Sequence, residues 1–313
     1  MSNNDLSAPF CYSFMLRNLL FIIGILLITS CDSEETRETL KRSYIVVNGD
    51  TLHVTRYDNS VLSTVAYVDG EALSAQGCAI KDNFLYRFYD RGYCKVFQIH
   101  DDYNLSYVKE FKLGSYSIEN HCNCAQFNVV GNDTLLYIAG TKRKCYVELI
   151  EENKSTLLQT ITLSLDLFIS DFNIISGDDE SLWAFGGAIP FGELVVLKLR
   201  RPLLNEGDVI LSQNDVLDVW IVDKNYSYQD RVWQGGKVYK GKLFFVFGSA
   251  VTGKKIVVYD IKRREIVFSI PLDDVVEEEP EDCEIINSDI LLLVVYGGKH
   301  YYLIENLNKL EAM

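Results

Sequence analysis

The chain has 313 residues, 48% of them hydrophobic, and a formal net charge of −14 at pH 7. This acidity argues against nucleic acid as a partner, because phosphate backbones require a basic surface. It argues equally against attachment to anionic lipid by charge. The length is enough to bury a sizeable core in one large β domain or two average domains.

The first predicted element is a short apolar segment, residues 19–29, which follows Arg17 and contains no charged residue. The segment is too short for a membrane-spanning helix, which needs about 20 apolar residues. A positive residue, a short apolar run and then small residues are the pattern of a signal peptide. We therefore predict that residues 1–30 are a signal peptide.

The end of this segment reads Ile28-Thr29-Ser30-Cys31 and resembles the lipobox of bacterial lipoproteins. In that family the cysteine sulfur is lipidated, the chain is cut before it, and the new amino terminus is acylated. More than one acyl chain gives stable anchoring where one chain does not. The resemblance implies lipidation at Cys31 and a lipid anchor in a bacterial membrane of the cell envelope, with the outer membrane favoured. The alternative is an ordinary secretory signal with a cysteine placed by chance.

An acidic stretch, Asp32-Ser33-Glu34-Glu35, opens a predicted tether over residues 31–42. It is similar to the acidic stretch of lipoproteins that Bacteroidetes-like bacteria send to the cell surface. A plain solvated tether explains the same acids equally well. Exposure at the cell surface is therefore one expectation of two.

Residues 43–313 are predicted to form one domain of short strands, because apolar residues alternate with polar ones between turn residues. Units of four strands open on polar motifs at Gln76, His121, Asp171, Gln234 and Glu279, at intervals of 45, 50, 63 and 45 residues. A four-stranded unit of about 40–50 residues is the signature of a β-propeller blade. The sequence therefore predicts an all-β fold with a single β-propeller; a large β-sandwich and a β-solenoid are the alternatives.

The number of blades depends on how the two ends of the domain are counted. Three short predicted strands precede the first full unit, and the last unit supplies only three strands. If the ends pair in one blade, which removes an exposed sheet edge, the propeller has five blades. Length divided by a blade of about 45 residues favours six. We expect about six blades, with five as the alternative.

The openings Gln234-Gly235-Gly236 and Glu279-Pro280-Glu281-Asp282 resemble those of NHL and glutamine-cyclotransferase-like (TolB-like) propellers found in Bacteroidetes lipoproteins. The resemblance covers most of the chain from Ser74 to Glu305 but concerns the fold. It implies no catalytic residues for this chain, because function depends on sites rather than on the fold.

In a propeller the first strand of each blade lines the central channel, so the opening motifs should form a ring at one end of it. Convergent polar groups there are the default hypothesis for a ligand site. The predicted ligand-binding residues are Gln76, His121, Asn123, Gln234 and Glu281. The alternative is that these side chains only bond backbone groups of the next blade.

Six cysteines follow Cys31. Several of them lie in apolar strand-like runs, which favours buried free thiols; disulfides and a metal site are the alternatives. The histidines and acids lack the spacing of zinc or calcium sites, so we expect no metal and no cofactor.

The function expected from the sequence is that of a lipid-anchored protein whose propeller binds a small polar ligand, such as a carbohydrate, or a protein partner, without catalysis. One alternative is a carboxylate-dependent lyase, hydrolase or cyclotransferase at the channel mouth. Another is a purely structural subunit of an envelope complex. No residue is assigned a catalytic role.

Overall fold

The computed structural model describes residues 41–59, 62, 65–152, 154–165, 173–176, 181–188, 193–223, 233–249, 251–296 and 299–311. The predicted signal peptide, Cys31 and the opening residue Asp171 lie outside this part of the chain. Among the described residues the structure is a β-propeller, and the one α-helix is the four-residue α1 (Asn308–Glu311). None of the described helices is long and apolar enough to cross a membrane.

The described strands form five sheets, which are the blades of the propeller. Blade 1 contains β3 (Val65–Val68), β4 (Glu71–Lys81), β5 (Phe84–Tyr89), β6 (Tyr93–Ile99) and β7 (Leu105–Lys112). Blade 2 contains β8 (Ala125–Val130), β9 (Asp133–Ala139), β10 (Lys144–Ile150) and β11 (Ser155–Leu163). All neighbouring strands in these two series pair antiparallel.

The other three blades follow the same plan with additions. Blade 3 contains β12 (Asn173–Ser176), β13 (Ser181–Ala188), β14 (Glu193–Arg200) and β16 (Val216–Asp223). Blade 4 contains β17 (Trp233–Tyr239), β18 (Lys242–Phe247), β19 (Lys255–Asp260) and β20 (Glu265–Pro271). Blade 5 contains β21 (Pro280–Asn287), β22 (Ile290–Val295) and β23 (His300–Glu305), joined by β1 (Lys41–Val47) and β2 (Asp50–Asp58).

The innermost strands of the blades are β4, β8, β12, β17 and β21, and each contacts the inner strands of the two neighbouring blades. These contacts close a ring, since β21 of the last blade contacts β4 of the first. The propeller therefore has five blades, the number given by the opening motifs, rather than the six that chain length favours.

The ends of the domain explain why length overestimates the blade number. The first two strands do not form a blade of their own, because β2 pairs with β23 of blade 5, with Tyr57 opposite Tyr301. This pairing satisfies the backbone of β23, which would otherwise be an open sheet edge. Strand β3 instead pairs with the first part of β4 in blade 1.

The long third repeat is accommodated outside the ring. Between β14 and β16, strand β15 (Val209–Leu211) leaves blade 3 and pairs in parallel with β11 of blade 2. The extra residues thus lengthen the outer part of the propeller and fasten two blades together. They do not make a further blade.

The core consists of apolar layers between adjacent blades. Between blades 4 and 5, for example, Val246, Ile256, Leu293 and Ile304 are fully buried against one another's strands. Burial of such a side chain contributes about 1.5–3 kcal/mol, so the faces between blades hold the ring together. The alternating patterns in the sequence mark these faces.

All six described cysteines are free and buried, namely Cys78, Cys94, Cys122, Cys124, Cys145 and Cys283. The prediction of buried free thiols is therefore confirmed. Burial raises the pKa of each thiol, to about 12 for Cys145, so these cysteines are weak nucleophiles and behave as small apolar side chains.

Candidate functional site

The inner strands run side by side in a register that brings the opening motifs to one end of the ring. The backbone N–H of Cys78 donates to Asp282 Oδ2 at 3.0 Å, and that of Ile80 donates to Glu284 Oε2 at 3.1 Å. Strands β4 and β21 are thus aligned in parallel. We call the end where the inner strands begin the opening end, and the end where they finish the turn end.

Of the five predicted ligand-binding residues, Gln234 and Glu281 lie at the starts of inner strands, Gln76 lies midway along β4, and His121 and Asn123 lie in the segment before β8. Gln76, Gln234 and Glu281 are buried within β4, β17 and β21, with 6%, 7% and 4% exposure. His121 and Asn123 immediately precede β8 and are half-buried. The third of the five polar openings, at Asp171, is outside the described residues.

Glu281 is the most unusual of these residues, because it is a carboxylic acid that is only 4% exposed. Burial raises its pKa to about 8; Arg87 opposes this shift, whereas the carboxylates of Glu279, Asp282 and Asp90 add to it. The side chain is therefore a neutral acid at pH 7 and can donate its proton to an acceptor.

Arg87 lies beside Glu281 and was not among the predicted site residues. It comes from β5, the second strand of blade 1, and is 5% exposed. Its Nη2 donates to the carbonyl of Val295 at 2.7 Å. Its Nη1 is buried and has no acceptor among the described residues. A charged residue inside the apolar run from Phe84 to Tyr89 was the sequence signal that could have identified it.

His121 is held by a carboxylate that also ties down the backbone of blade 1. Its Nδ1 lies 2.5 Å from Asp90 Oδ1, and Asp90 Oδ2 accepts from the N–H of Ser74 at 3.2 Å. Since Asp90 is also one of the carboxylates that raise the pKa of Glu281, the pair and Glu281 belong to the same end.

The side-chain amide of Gln234 makes local hydrogen bonds, which agrees in part with the alternative that the opening residues only bond the backbone. Its Nε2 donates to Glu279 Oε1 at 2.5 Å and to the carbonyl of Gly248 at 3.2 Å. Asn123, in contrast, keeps a buried Oδ1 without a partner in the described part of the chain. The opening motifs thus combine structural bonds with polar atoms that still lack a partner.

A buried ion cluster separates this group from the turn end. Lys237 of β17 is 1% exposed, and its Nζ lies 3.5 Å from Asp282 Oδ2 and 3.4 Å from Glu284 Oε2. The same Nζ donates to the carbonyls of Cys78, at 2.7 Å, and Ala125. One ammonium group thereby joins inner strands of blades 1, 2, 4 and 5.

Lys237 remains charged despite its burial. Burial by itself lowers the pKa of its ammonium, but Asp282 and Glu284 raise this pKa well above its ordinary value. Lys237 was not among the site residues predicted from the sequence, and Asp282 was predicted only as part of an opening. A lysine in the middle of an otherwise apolar strand was the available signal.

The glycines of the openings are explained by close packing around this cluster. A Cβ atom on Gly235 would lie 2.1 Å from Asp282 Oδ1, and one on Gly77 would lie 2.4 Å from the carbonyl oxygen of Cys122. Only glycine permits such close approach of strands. The glycine of the Gln-Gly pattern is therefore explained by the close approach of neighbouring inner strands at these positions.

Across the described residues, no group of three or more His, Cys, Asp or Glu side chains is arranged to hold a metal ion. The opening end instead offers a neutral acid, a guanidinium, amides and a His–Asp pair. Such a set can donate to and accept from the hydroxyl groups of a polar molecule. A carboxyl group with a raised pKa is also a usual component of acid–base chemistry.

No family profile and no curated protein matches the sequence. Among solved structures, a tail fibre of Staphylococcus aureus phage P68 superposes with a TM-score of 0.48 and 12% identity, over 87% of this chain and 54% of that one. A GH43 glycoside hydrolase engineered for endo-xylanase and exo-arabinofuranosidase activity gives 0.47 and 11%, over 80% and 51%.

A protein of unknown function from Bacteroides thetaiotaomicron superposes with a TM-score of 0.40 and 13% identity, over 85% of this chain and 82% of that one. The chain spans about half the length of the first two structures. These similarities do not identify a function.

Proposed function

We propose that this chain is a membrane-anchored lipoprotein whose propeller binds a small polar ligand, such as a carbohydrate, at the opening end. The observation that carries the ligand proposal is the pair formed by Glu281 and Arg87. Both are buried, the pKa of Glu281 is raised to about 8, and Arg87 Nη1 has no acceptor among the described residues. Buried polar groups are normally satisfied, and unpaired ones are costly.

A ligand that carries both donors and acceptors would satisfy these atoms together. The neutral acid of Glu281 would donate to a hydroxyl oxygen, and Arg87 Nη1 would donate to a second oxygen. Asn123 Oδ1, which is also buried without a partner in the described chain, would accept from a hydroxyl group. Because the strands fix these side chains in advance, little ordering entropy would be lost on binding.

The lipid anchor is supported by Ile28-Thr29-Ser30-Cys31 and by the acidic stretch that follows it. Assignment to Bacteroidetes-type lipoproteins, and to the NHL and glutamine-cyclotransferase-like propellers, rests on the sequence features alone. In a bacterial host fed labelled palmitate, Cys31→Ser should abolish labelling and release the protein from membranes. Cys11→Ser, in the same leader, is the matched control. Labelling that persists in Cys31→Ser would contradict the anchor.

Ligand binding can be tested by saturation-transfer NMR with glucose, galactose and xylose. Glu281→Ala and Arg87→Met should each weaken binding at least about tenfold, or about 1.4 kcal/mol. Glu265→Ala, at an exposed carboxylate of β20, should leave it unchanged. The proposal fails if no sugar binds, or if binding is the same in both site variants. Glu281→Gln keeps a donor and should bind nearly normally at pH 6.

The second candidate is a carboxylate-dependent hydrolase, lyase or cyclotransferase at the same end. The raised pKa of Glu281 favours it, because an acid that remains protonated at neutral pH can protonate a leaving group. The second carboxyl group would be that of Asp90, which is paired with His121. Turnover of nitrophenyl glycosides that is lost in both Glu281→Gln and Asp90→Asn would support catalysis. Absence of turnover with intact sugar binding would leave the binding function alone.

A further inference from the structure

A cavity of about 550 Å³ lies at the turn end, where inner strands of blades 1, 2 and 4 finish. Its lining includes the side chains of Lys81, Gln126, Phe127, Thr134, Tyr239 and Lys240. The volume is within the range of small-molecule sites, about 300–1,000 Å³. This cavity is at the end opposite to Glu281 and plays no part in the proposed function.

The floor of the cavity is formed by a hydrogen-bonded contact between β8 and β17, which separates the cavity from the opening end. Gln126 Nε2 donates to the carbonyl of Val238 at 3.1 Å, and the N–H of Val238 lies 3.4 Å from Gln126 Oε1. Lys237, the residue before Val238, holds the ion cluster with Asp282 and Glu284. A ligand in the cavity would therefore not reach Glu281.

The rim of the cavity has two lysines that differ from most others in the described chain. Lys81 and Lys240 form no ion pair with a described carboxylate; their Nζ atoms lie 5.8 Å and 5.1 Å from the ring centroids of Phe127 and Tyr239. Elsewhere lysines such as Lys142 and Lys154 pair with glutamates. The cavity also includes Asp82, so two cations and one anion leave a local charge of +1.

We infer that this cavity is a second binding site, for a small acidic sugar. The carboxylate of a uronate-type ring would be attracted by Lys81 and Lys240, which lack carboxylate partners among the described residues. The apolar face of the ring would pack on Phe127 and Tyr239, as sugars and other rings do on aromatic side chains. The Thr134 hydroxyl and the remaining capacity of the Gln126 amide would bond ring hydroxyls.

The test compares glucuronate with glucose, which differ in one carboxylate, by titration calorimetry of the intact protein. Glucuronate should bind with a Kd in the millimolar range or below, and the double variant Lys81→Met/Lys240→Met should weaken this at least about tenfold. Raising the ionic strength should weaken it further, since the lysines are solvent-accessible. Methionine preserves the apolar stem, so packing is largely retained.

Lys262→Met, at an exposed turn lysine of blade 4, is the matched control and should bind glucuronate normally. Glucuronate binding that remains in Glu281→Ala and is lost in the double variant belongs to the turn end rather than to the opening end. Glucose binding that survives in the double variant belongs elsewhere and leaves the proposal in place. The inference is overturned if glucuronate fails to bind at about 10 mM, if the double variant binds it normally, or if the double variant loses glucose equally.

Discussion

The two ends of the ring of inner strands differ in charge although the same strands form both. The opening end gathers Glu279, Glu281 and Asp90 with one buried arginine, Arg87. The turn end carries Lys81 and Lys240 beside aromatic rings. The net charge of −14 describes neither end. The repeated strands form the scaffold, whereas the side chains at individual positions give each end its chemistry.

The ion cluster around Lys237 lies between these ends and joins the inner strands of four blades. Its carboxylates come from β21, its carbonyl acceptors from β4 and β8, and its ammonium from β17. Strand β21 therefore carries both Glu281 of the opening end and the two carboxylates that pair with Lys237. The turn end is coupled to it through Val238 and Gln126.

The largest expected effect is that of Lys237→Met. Removing the ammonium leaves Asp282 and Glu284 buried without their cation, which should lower the free energy of unfolding by about 3–5 kcal/mol. Urea unfolding measures the loss, with Lys262→Met as an exposed control expected within about 0.5 kcal/mol. Acid should reduce the deficit, because burial raises the pKa of Asp282 to about 7 and this carboxylate can then take up a proton. A deficit below about 1 kcal/mol would show that the cluster does not hold the ring.

The opening end should make stability depend on pH through Glu281. Its pKa is raised from 4.5 to about 8, so the folded state holds a proton that the unfolded state releases between these values. This stabilisation is fully present below pH 4.5 and is lost as pH rises to about 8. Relative to Glu281→Gln, the wild type should lose about 3 kcal/mol between pH 5 and pH 8.

Urea unfolding of both proteins across this pH range is the measurement, and the difference between them isolates Glu281 from other titrating groups. Parallel pH profiles would mean that Glu281 is ionised at neutral pH. Glu281→Gln would then weaken ligand binding at pH 7, because it would remove a charge. With the raised pKa, that substitution should matter only above about pH 8.

Gly235→Ala tests whether the close approach at the opening end is required. The added Cβ would lie 2.1 Å from Asp282 Oδ1, so the strand or the carboxylate must move, at a cost of about 1–3 kcal/mol. Gly253→Ala is the control, since the nearest atom to its Cβ is 3.6 Å away. Equal unfolding midpoints for the two variants would contradict this account of the Gln-Gly motif.

The smallest expected effect concerns the floor of the turn-end cavity. Gln126→Leu removes the amide that bonds both backbone groups of Val238, and should cost about 1–2 kcal/mol. Gln213→Leu, at an exposed position, should be nearly neutral in the same thermal unfolding measurement. If Gln126→Leu is also neutral, the floor does not depend on this bridge, and water can satisfy Val238 from the cavity.

The repeat and the strands could be predicted from local sequence patterns alone. Alternation of apolar and polar residues is a local property, because successive side chains of a strand point to opposite faces of the sheet. The openings at Gln76, Gln234 and Glu281 fixed which strands are innermost, because their polar and glycine residues suit the narrow ring. The free state of the cysteines also followed from their apolar neighbours.

In contrast, the closure of the ring and the contacts between its charged groups depend on residues that are far apart in the sequence. Cys78 and Asp282 are bonded across 204 residues of chain, and Lys237 reaches Cys78 across 159. No local pattern encodes such pairs, since they depend on five blades closing rather than six. The raised pKa of Glu281 has the same origin, because desolvation is set by what the folded chain places around a group and not by its neighbours in sequence.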